Sequence, residues 1–388
     1  MSKCKLLIPV LAGLLVGQLF AESERPFKVV NTIRVGYDDN PTHEANGKGS
    51  TFVTDIVDFS FRAALSDRTD LTVKSQATLL NDSLGDEFYP NLYVMLNHSV
   101  SPRLLLRLSE FYRSGDQSGV AGAGPLKKDV RYNYFNNRAG VSADYVLTRK
   151  DRLQGSLDYD ILRYEDDVKN GLNNDTTTVE AGTTWKRDIV LQRTYSTLNV
   201  RERHVKYDHQ ESSFDATDLS AGLAHNFNQE WQGNVEGGVT HTRPDYSAPA
   251  KNDSSFDPLV RAGLVYSPSP RTRFSTDFSH QKQASRDSSY GGQTATALGF
   301  GVQHDITAKL MAKATVRFTK IDSAAGDNQT AANTSNNEDS INFDLRFTYK
   351  LNRMNFLELG LQHNEKSRDA GENWEQNRLD IGWRLELN

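Results

Sequence analysis

Along most of this chain apolar and polar residues alternate one by one, the period of two that sends successive side chains to opposite faces of a strand. The clearest run is Ile341, Phe343, Leu345, Phe347 and Tyr349, interleaved with Asn342, Asp344, Arg346, Thr348 and Lys350. One face of that segment is apolar and the other is charged. The final segment repeats the arrangement, with Leu379, Ile381, Trp383, Leu385 and Leu387 against Asp380, Gly382, Arg384, Glu386 and Asn388. Val57, Phe59, Phe61, Ala63 and Leu65 alternate with Asp58, Ser60 and Arg62 in the same way. So do Phe135, Ala139, Val141, Ala143 and Tyr145 with Tyr134, Arg138, Ser142 and Asp144. Leu104 to Leu106 are all apolar, so alternation alone does not orient that segment. Helical periodicity is scarce.

The connections sort into two kinds. Eight are short turns: Ser66–Thr69, Ser101–Arg103, Thr148–Asp151, Arg187–Arg193, Asn228–Glu230, Ser267–Pro270, Asp305–Ala308 and Lys350–Arg353. Nine are longer and polar: Asp38–Gly49, Asn81–Pro90, Gly115–Lys128, Glu165–Asn174, Asp208–Ser213, Pro244–Ser255, Ser285–Gly291, Asp322–Ser340 and Lys366–Glu375. Alternating short and long connections predict eighteen strands, with sixteen as the alternative count, and place both chain ends on the short-turn side. Each strand is expected to run about ten residues.

The N-terminal residues read as a cleaved secretory signal, since Lys3 and Lys5 precede the apolar run Leu6–Val16 and the small residue Ala21 follows. That run is too short for a membrane helix, and no later stretch reaches the ~20 apolar residues one needs. Cleavage after Ala21 leaves residues 22–388 as a single domain, removes the sole cysteine, Cys4, and shifts the formal charge from −5 to −7. The mature chain would then have neither disulfides nor cysteine metal chemistry. A low mean hydropathy fits water-soluble sandwiches and propellers too. A barrel strand, however, shows lipid only at every second residue, so a polar average is compatible with crossing a bilayer. Charge on the faces opposite the apolar ones, the lack of blade repeats and the export signal together predict an all-β fold: a closed antiparallel transmembrane β-barrel in the outer membrane, in contact with its lipid. Closure follows because a bilayer supplies no partners for an open sheet edge. Acidic and basic residues are spread along the chain, which argues against a nucleic-acid partner.

No segment carries a nucleophile elbow, an H-E-x-x-H helix or a phosphate-binding glycine loop. The nine histidines are scattered without metal-ligand spacing, and no metal or other cofactor is expected. Asp38-Asp39-Asn40, Glu165-Asp166-Asp167 and Asn336-Asn337-Glu338-Asp339 offer oxygen ligands of the kind calcium prefers. None completes a calcium-loop pattern, and solvated loop surface is the plainer reading. Gly122-Ala123-Gly124-Pro125 reads as a loop.

Alternation assigns charge to the interior. Arg34, Arg62, Arg138, Arg261, Arg346 and Arg384 fall on polar faces, with Asp58, Asp144, Asp158, Asp160, Glu236, Asp277, Asp344, Glu358 and Asp380. A charge facing hydrocarbon costs ~2–4 kcal/mol near the midplane, so these residues are the pore-lining candidates. A ring of eighteen strands is wide enough for an aqueous passage. The first strand starts close behind the signal, leaving no separate plug segment, and the longest connections, around 115–128 and 322–340, are the candidates to fold inward. Tyr37, Trp185, Tyr207, Trp231, Tyr266, Tyr349 and Trp374 sit near strand ends and suit headgroup girdles. Tyr134, Tyr159 and Tyr164 lie beside charged positions, a combination that saccharide sites use.

With its opening strand read as Ile33-Arg34-Val35-Gly36-Tyr37-Asp38-Asp39-Asn40-Pro41, the chain resembles the β-barrel porin family of outer-membrane proteins that includes barrels from exopolysaccharide-export loci. Members tend to begin with a strand ending in a similar Tyr-Asp-Asp-Asn turn, and the resemblance in organisation runs from about Pro26 to Asn388. It implies an outer-membrane location, insertion by the barrel-assembly machinery and a role in solute or polysaccharide passage. Many such barrels end in an aromatic residue, whereas this chain ends Leu385-Glu386-Leu387-Asn388, leaving Trp383 as the terminal strand's aromatic. Three functions follow in order: a pore for small hydrophilic solutes or saccharides, not an enzyme; an accessory barrel of polysaccharide export; and an outer-membrane lipid hydrolase built from Ser, His and an acid on distant strands. Sequence leaves the oligomeric state and the solute open.

Overall fold

The computed structural model describes residues 26–387 apart from 44, 46, 117–132, 165–174, 191–192, 209–211, 246–253, 285–289, 326–335 and 370–372. The N-terminal residues 1–25, with the segment read as an export signal, and Gly122–Pro125 and Glu165–Asp167 lie outside the described residues. Eighteen strands follow one another: β1 Phe27–Asp38, β2 Ser50–Ser66, β3 Thr69–Asp82, β4 Gly85–Ser101, β5 Leu104–Asp116, β6 Asn133–Val146, β7 Asp151–Tyr164, β8 Thr176–Val190 and β9 Thr194–Tyr207. The second half holds β10 Ser212–Asn226, β11 Trp231–Asp245, β12 Ser255–Ser269, β13 Thr272–Gln283, β14 Tyr290–Asp305, β15 Leu310–Ala325, β16 Asn336–Lys350, β17 Asn355–Arg368 and β18 Trp374–Leu387. Each strand pairs antiparallel with its chain neighbours, and β1 pairs with both β2 and β18. The sheet therefore closes and has no free edge, which is what a non-hydrogen-bonding solvent demands.

Residues directly opposite one another on antiparallel strands share a face, so the register carries the assignment of inside and outside around the ring. Two neighbours on β18 fix it: Ile381 is 66% exposed and Asp380 only 3%. The apolar set of every well-patterned strand thus points outward, and the ambiguous segment resolves with Leu104 and Leu106 outside, opposite Tyr145 and Ala143, and Leu105 inside, opposite Asp144.

The strands run 12 to 17 residues, longer than the expected ten. On β17 the outward positions read Leu357, Leu359, Leu361 and then His363, Glu365 and Ser367, so the extra length stands clear of hydrocarbon on the long-loop side. One expected long connection is instead a tight hairpin. β3 continues to Asp82 and β4 resumes at Gly85, leaving only Ser83 and Leu84 between them. The Asp82 carboxylate accepts from the Leu84 amide at 2.8 Å, and Gly85 takes φ 123°, a conformation that glycine adopts without a Cβ clash. Polar residues there signal strand outside the membrane, not loop.

The aromatic girdle is partly as expected. Trp185, Trp231, Tyr266 and Tyr349 face outward toward the short-turn end, Trp231 stacking on Tyr266 with centroids 4.0 Å apart, and Tyr37 faces outward at the other end. Tyr207 and Trp374 are exceptions because the register turns them inward. Tyr207 is fully buried opposite Ser212, and Trp374 lies 4.5 Å from the His43 ring.

The Tyr37–Asn40 turn closes the seam between the first and last strands. Asp38 accepts from Gln376 and Asp39 from the Asn377 amide, at 2.8 and 2.6 Å, while Asn40 Nδ2 donates to the Glu375 carbonyl at 2.7 Å. Asp38 and Asn40 are buried, which overturns their reading as solvated loop surface. Glu338 is likewise buried, inside β16 and paired with Lys366 and Arg368.

Candidate functional site

The register sets all fifteen candidate charges on the interior face. Arg34, Arg346 and Arg384 converge on Glu358 at 3.0, 3.4 and 3.0 Å, and Arg346 also reaches Asp380 at 3.1 Å. This group sits at the seam, on β16, β17, β18 and β1. Nine strands away around the ring is a second group, in which Arg138 pairs with Asp158 at 3.2 Å and with Glu180 at 3.9 Å. Arg203 holds Glu180 at 3.1 Å, and Arg201 holds Asp218 at 2.5 Å. Asp160 accepts from Asn136 at 2.7 Å beside them. A smaller group joins Glu236 to Arg261 at 3.5 Å, with Arg261 donating to Gln281 at 2.7 Å. Asp58 accepts from Gln76, Asp344 from Gln362, Asp144 meets Arg107 at 3.8 Å and Asp277 meets Arg317 at 3.2 Å. Arg62 stands apart from these groups. Of the three tyrosines, Tyr134 and Tyr164 face inward with rings 6.0 Å apart, whereas Tyr159 points outward opposite Ala139 and Val179.

Glycine makes several of these pairs possible. Arg346, Gly360 and Asp380 are in register on three successive strands, as are Arg34, Gly382 and Glu358, and Arg317, Gly299 and Asp277. Each ion pair spans two strand spacings, about 9.5 Å between backbones, and crosses the middle strand where no side chain stands. A Cβ on Gly360 would lie 2.5 Å from Asp380 Oδ2 and 2.7 Å from Arg346 Nη2.

Alternation did not single out Arg201, Arg203, Glu180, Asp218 or Arg317. On β9 the signal is present in Leu198 and Val200, which point outward and so turn Arg201 and Arg203 in. It is masked by Glu202, His204 and Lys206, which put polar groups on the outward face as well.

The wall parts on the long-loop side. β12 and β13 pair only as far as Val260 and His280. β11 and β12 stay paired to Thr242 and Ser255, and β13 and β14 to Gln283 and Gln293. The tip of the β13–β14 pair as far as it is described, Gln283–Ala284 with Gly292–Gln293, therefore leans into the lumen. Ala284 packs on Val205, Tyr207, Phe214 and Ala216 of β9 and β10, residues that alternation also places inside. A Cβ on Gly292 would be 3.0 Å from the Phe214 ring. The inward segment expected at 115–128 or 322–340 falls largely outside the described residues; among the described residues an inward segment comes from the end of β13. Between this tip and the wall of β5 to β9 lies a cavity of about 370 Å³, bordered by Phe111, Tyr134, Arg138, Asp160 and Glu180.

Histidine chemistry is confined to the outer face among the described strands. His204 Nδ1 lies 2.5 Å from Asp215 and His363 Nδ1 lies 2.8 Å from Asn377, the kind of support a catalytic imidazole has. Their other cross-strand neighbours are Val179 and Phe343, neither a nucleophile. Among the described residues no cluster of three or more His, Cys, Asp or Glu could hold a metal ion, and no helix is long and apolar enough to cross a membrane.

Comparison with known proteins agrees with this geometry. OccK2 (OpdF) of Pseudomonas aeruginosa, solved with glucuronate, is 11% identical, covers 93% of this chain and 98% of its own, and superposes with a TM-score of 0.51. OccK1 (OpdK) of the same organism is 13% identical over 93% of this chain and 99% of its own, with a TM-score of 0.50, as is OpdK solved with vanillate. At those identities the likeness is one of fold. No curated protein matches the sequence, and the polysaccharide-export alternative draws no support from these comparisons. The model of the family described as "Putative beta-barrel porin 2" matches residues 194–387, half of the chain, and the protein belongs to that β-barrel porin family.

Proposed function

We propose that the protein is an outer-membrane channel for small hydrophilic solutes, exported on residues 1–21 and folded over residues 22–388 as one barrel. The observation that carries this reading is the contrast between the two faces of a closed ring: apolar residues outside, and inside two opposed groups of paired charges. Charge that would be costly against hydrocarbon is tolerated where water wets it. The fifteen interior charges then line the route, and the tip of β13–β14 sets its narrowest side. OccK2 and OpdK hold glucuronate and vanillate, both small organic acids, so solutes of that size are the first to test. Catalysis plays no part in this reading, and insertion by the barrel-assembly machinery would follow the usual route for such folds. Planar-bilayer recording of the purified, refolded chain tests it: discrete conductance steps are expected, and a folded barrel that never raises conductance above background would refute it.

A further inference from the structure

We infer that the cavity between the β13–β14 tip and the β5–β9 wall is a binding subsite for a single-ring sugar acid, a deepening that rests on the channel reading. Its volume, about 370 Å³, is at the small end of ligand sites and suits one ring with its substituents. Phe111 and Tyr134 supply flat carbon surface, against which the C–H face of a sugar ring packs. Asp160, Asn136, Thr176 and Thr178 supply acceptors and donors for hydroxyl groups.

Charge separates the acid from the neutral sugar. Arg138 is already matched by Asp158 and Glu180, and Arg203 by Glu180 and Asp218, the latter at 3.7 Å. Arg113 also borders the cavity, is exposed, and makes no ion pair or hydrogen bond among the described residues. Its guanidinium is thus the one cation of the lining whose charge is not already spent within the wall, and its planar fork fits a carboxylate. A neutral sugar would forgo that contact. An acid without hydroxyl groups would offer nothing to the Thr176 and Thr178 hydroxyls of the lining, which is costly where water is displaced.

The full chain, folded in detergent, is titrated by calorimetry with potassium glucuronate, glucose and benzoate. Glucuronate should bind at least tenfold more tightly than either of the others. Arg113→Gln should bring glucuronate to the level of glucose and leave glucose unchanged, because only the carboxylate contact is lost. Ala284→Trp, which fills the cavity from the tip, should remove binding of all three. Equal affinity for glucuronate and glucose, benzoate binding as tightly as glucuronate, or an Arg113→Gln variant that keeps the preference would each overturn the assignment. The titration needs no conductance. A barrel silent in bilayers that still prefers glucuronate through Arg113 overturns the channel reading and supports the subsite, whereas a conducting barrel without that preference overturns the subsite alone.

Discussion

Gly360→Ala is the smallest change that tests how the interior charges are held. Gly360 faces inward on β17 between Asp380 and Arg346, whose side chains meet over it at 3.1 Å. The new methyl group would sit 2.5 Å from Asp380 Oδ2 and 2.7 Å from Arg346 Nη2, well inside van der Waals contact, so at least one end of the bridge has to shift. Asp380 and Glu358 are each only 3% exposed in their side chains, so water cannot fully replace the lost partner. Removing one partner of a buried pair costs about 3–5 kcal/mol. Displacing it costs less, and replacing a strand glycine returns about 0.5–1 kcal/mol of backbone entropy. A net loss of about 2–3 kcal/mol is expected. Urea titration of the barrel in lipid vesicles measures it, with Gly155→Ala as the reference. Gly155 faces outward and an added Cβ there meets nothing within 4 Å, so that change should be neutral or slightly stabilising. Combining Gly360→Ala with Asp380→Asn should cost clearly less than the sum of the two alone, because both act on one bridge. A Gly360→Ala barrel as stable as the Gly155→Ala one would refute the idea that glycine carries these pairs.

Other outcomes follow from the same register. Leu345 faces outward opposite Ala314 and Leu361, so Leu345→Arg should destabilise the barrel by ~2–4 kcal/mol in vesicle unfolding, if it lies near the midplane. Its neighbour Asp344 faces the lumen and accepts from Gln362 at 3.0 Å; Asp344→Arg should fold and shift the reversal potential toward anion selectivity, and a misfolded Asp344→Arg beside a tolerated Leu345→Arg would invert the assignment of faces. Unboiled protein should migrate differently from boiled protein on a detergent gel, since a closed hydrogen-bonded ring resists detergent alone. Asn40→Ala removes the 2.7 Å bond to the Glu375 carbonyl and should speed hydrogen exchange at the Asp39 amide, which donates to Asn377; unchanged exchange there would show that the turn does not clasp the seam.

Strand number and face were legible because both depend on a local rule. A residue in a barrel strand touches either lipid or lumen, so alternation in Ile341–Tyr349 or Leu379–Leu387 reads directly as outside and inside. The rule loses force where strands leave the bilayer. Asn81–Asp82 and Asp86–Glu87 are polar on both faces because they stand in water, so their composition predicts loop although they pair as strand; Glu202, His204 and Lys206 hide Arg201 and Arg203 for the same reason. Tyr207 and Trp374 show the converse limit, since proximity to a strand end says nothing about phase. Partner choice was not legible at all. That Arg346 reaches Asp380 over Gly360 depends on a register between segments far apart in sequence, and alternation records only that all three share a face.

The departure of the β13–β14 tip from the wall has no signature in alternation, because Gln283 and Ala284 obey no period once their strand leaves the β12 ladder. Its consequence is nevertheless set by residues that do. Phe214, Val205 and Tyr207 are inward by register, and a water-filled lumen would leave them wetted; the tip covers them, and their burial offers a reason for the ladder to end at His280. The lumen is thereby made asymmetric. Along the seam, Glu358 and Asp380 are enclosed by three arginines and present little unmatched charge to a solute. On the opposite wall Arg113, Tyr134 and Asp160 border the cavity that Gln283 and Ala284 close from the lumen side. Net charge over the whole chain therefore says little about what the barrel admits, because paired charges largely cancel in the field a passing ion meets. On the proposed channel reading, selectivity would rest with the few lumen groups that the wall leaves unmatched, Arg113 among them.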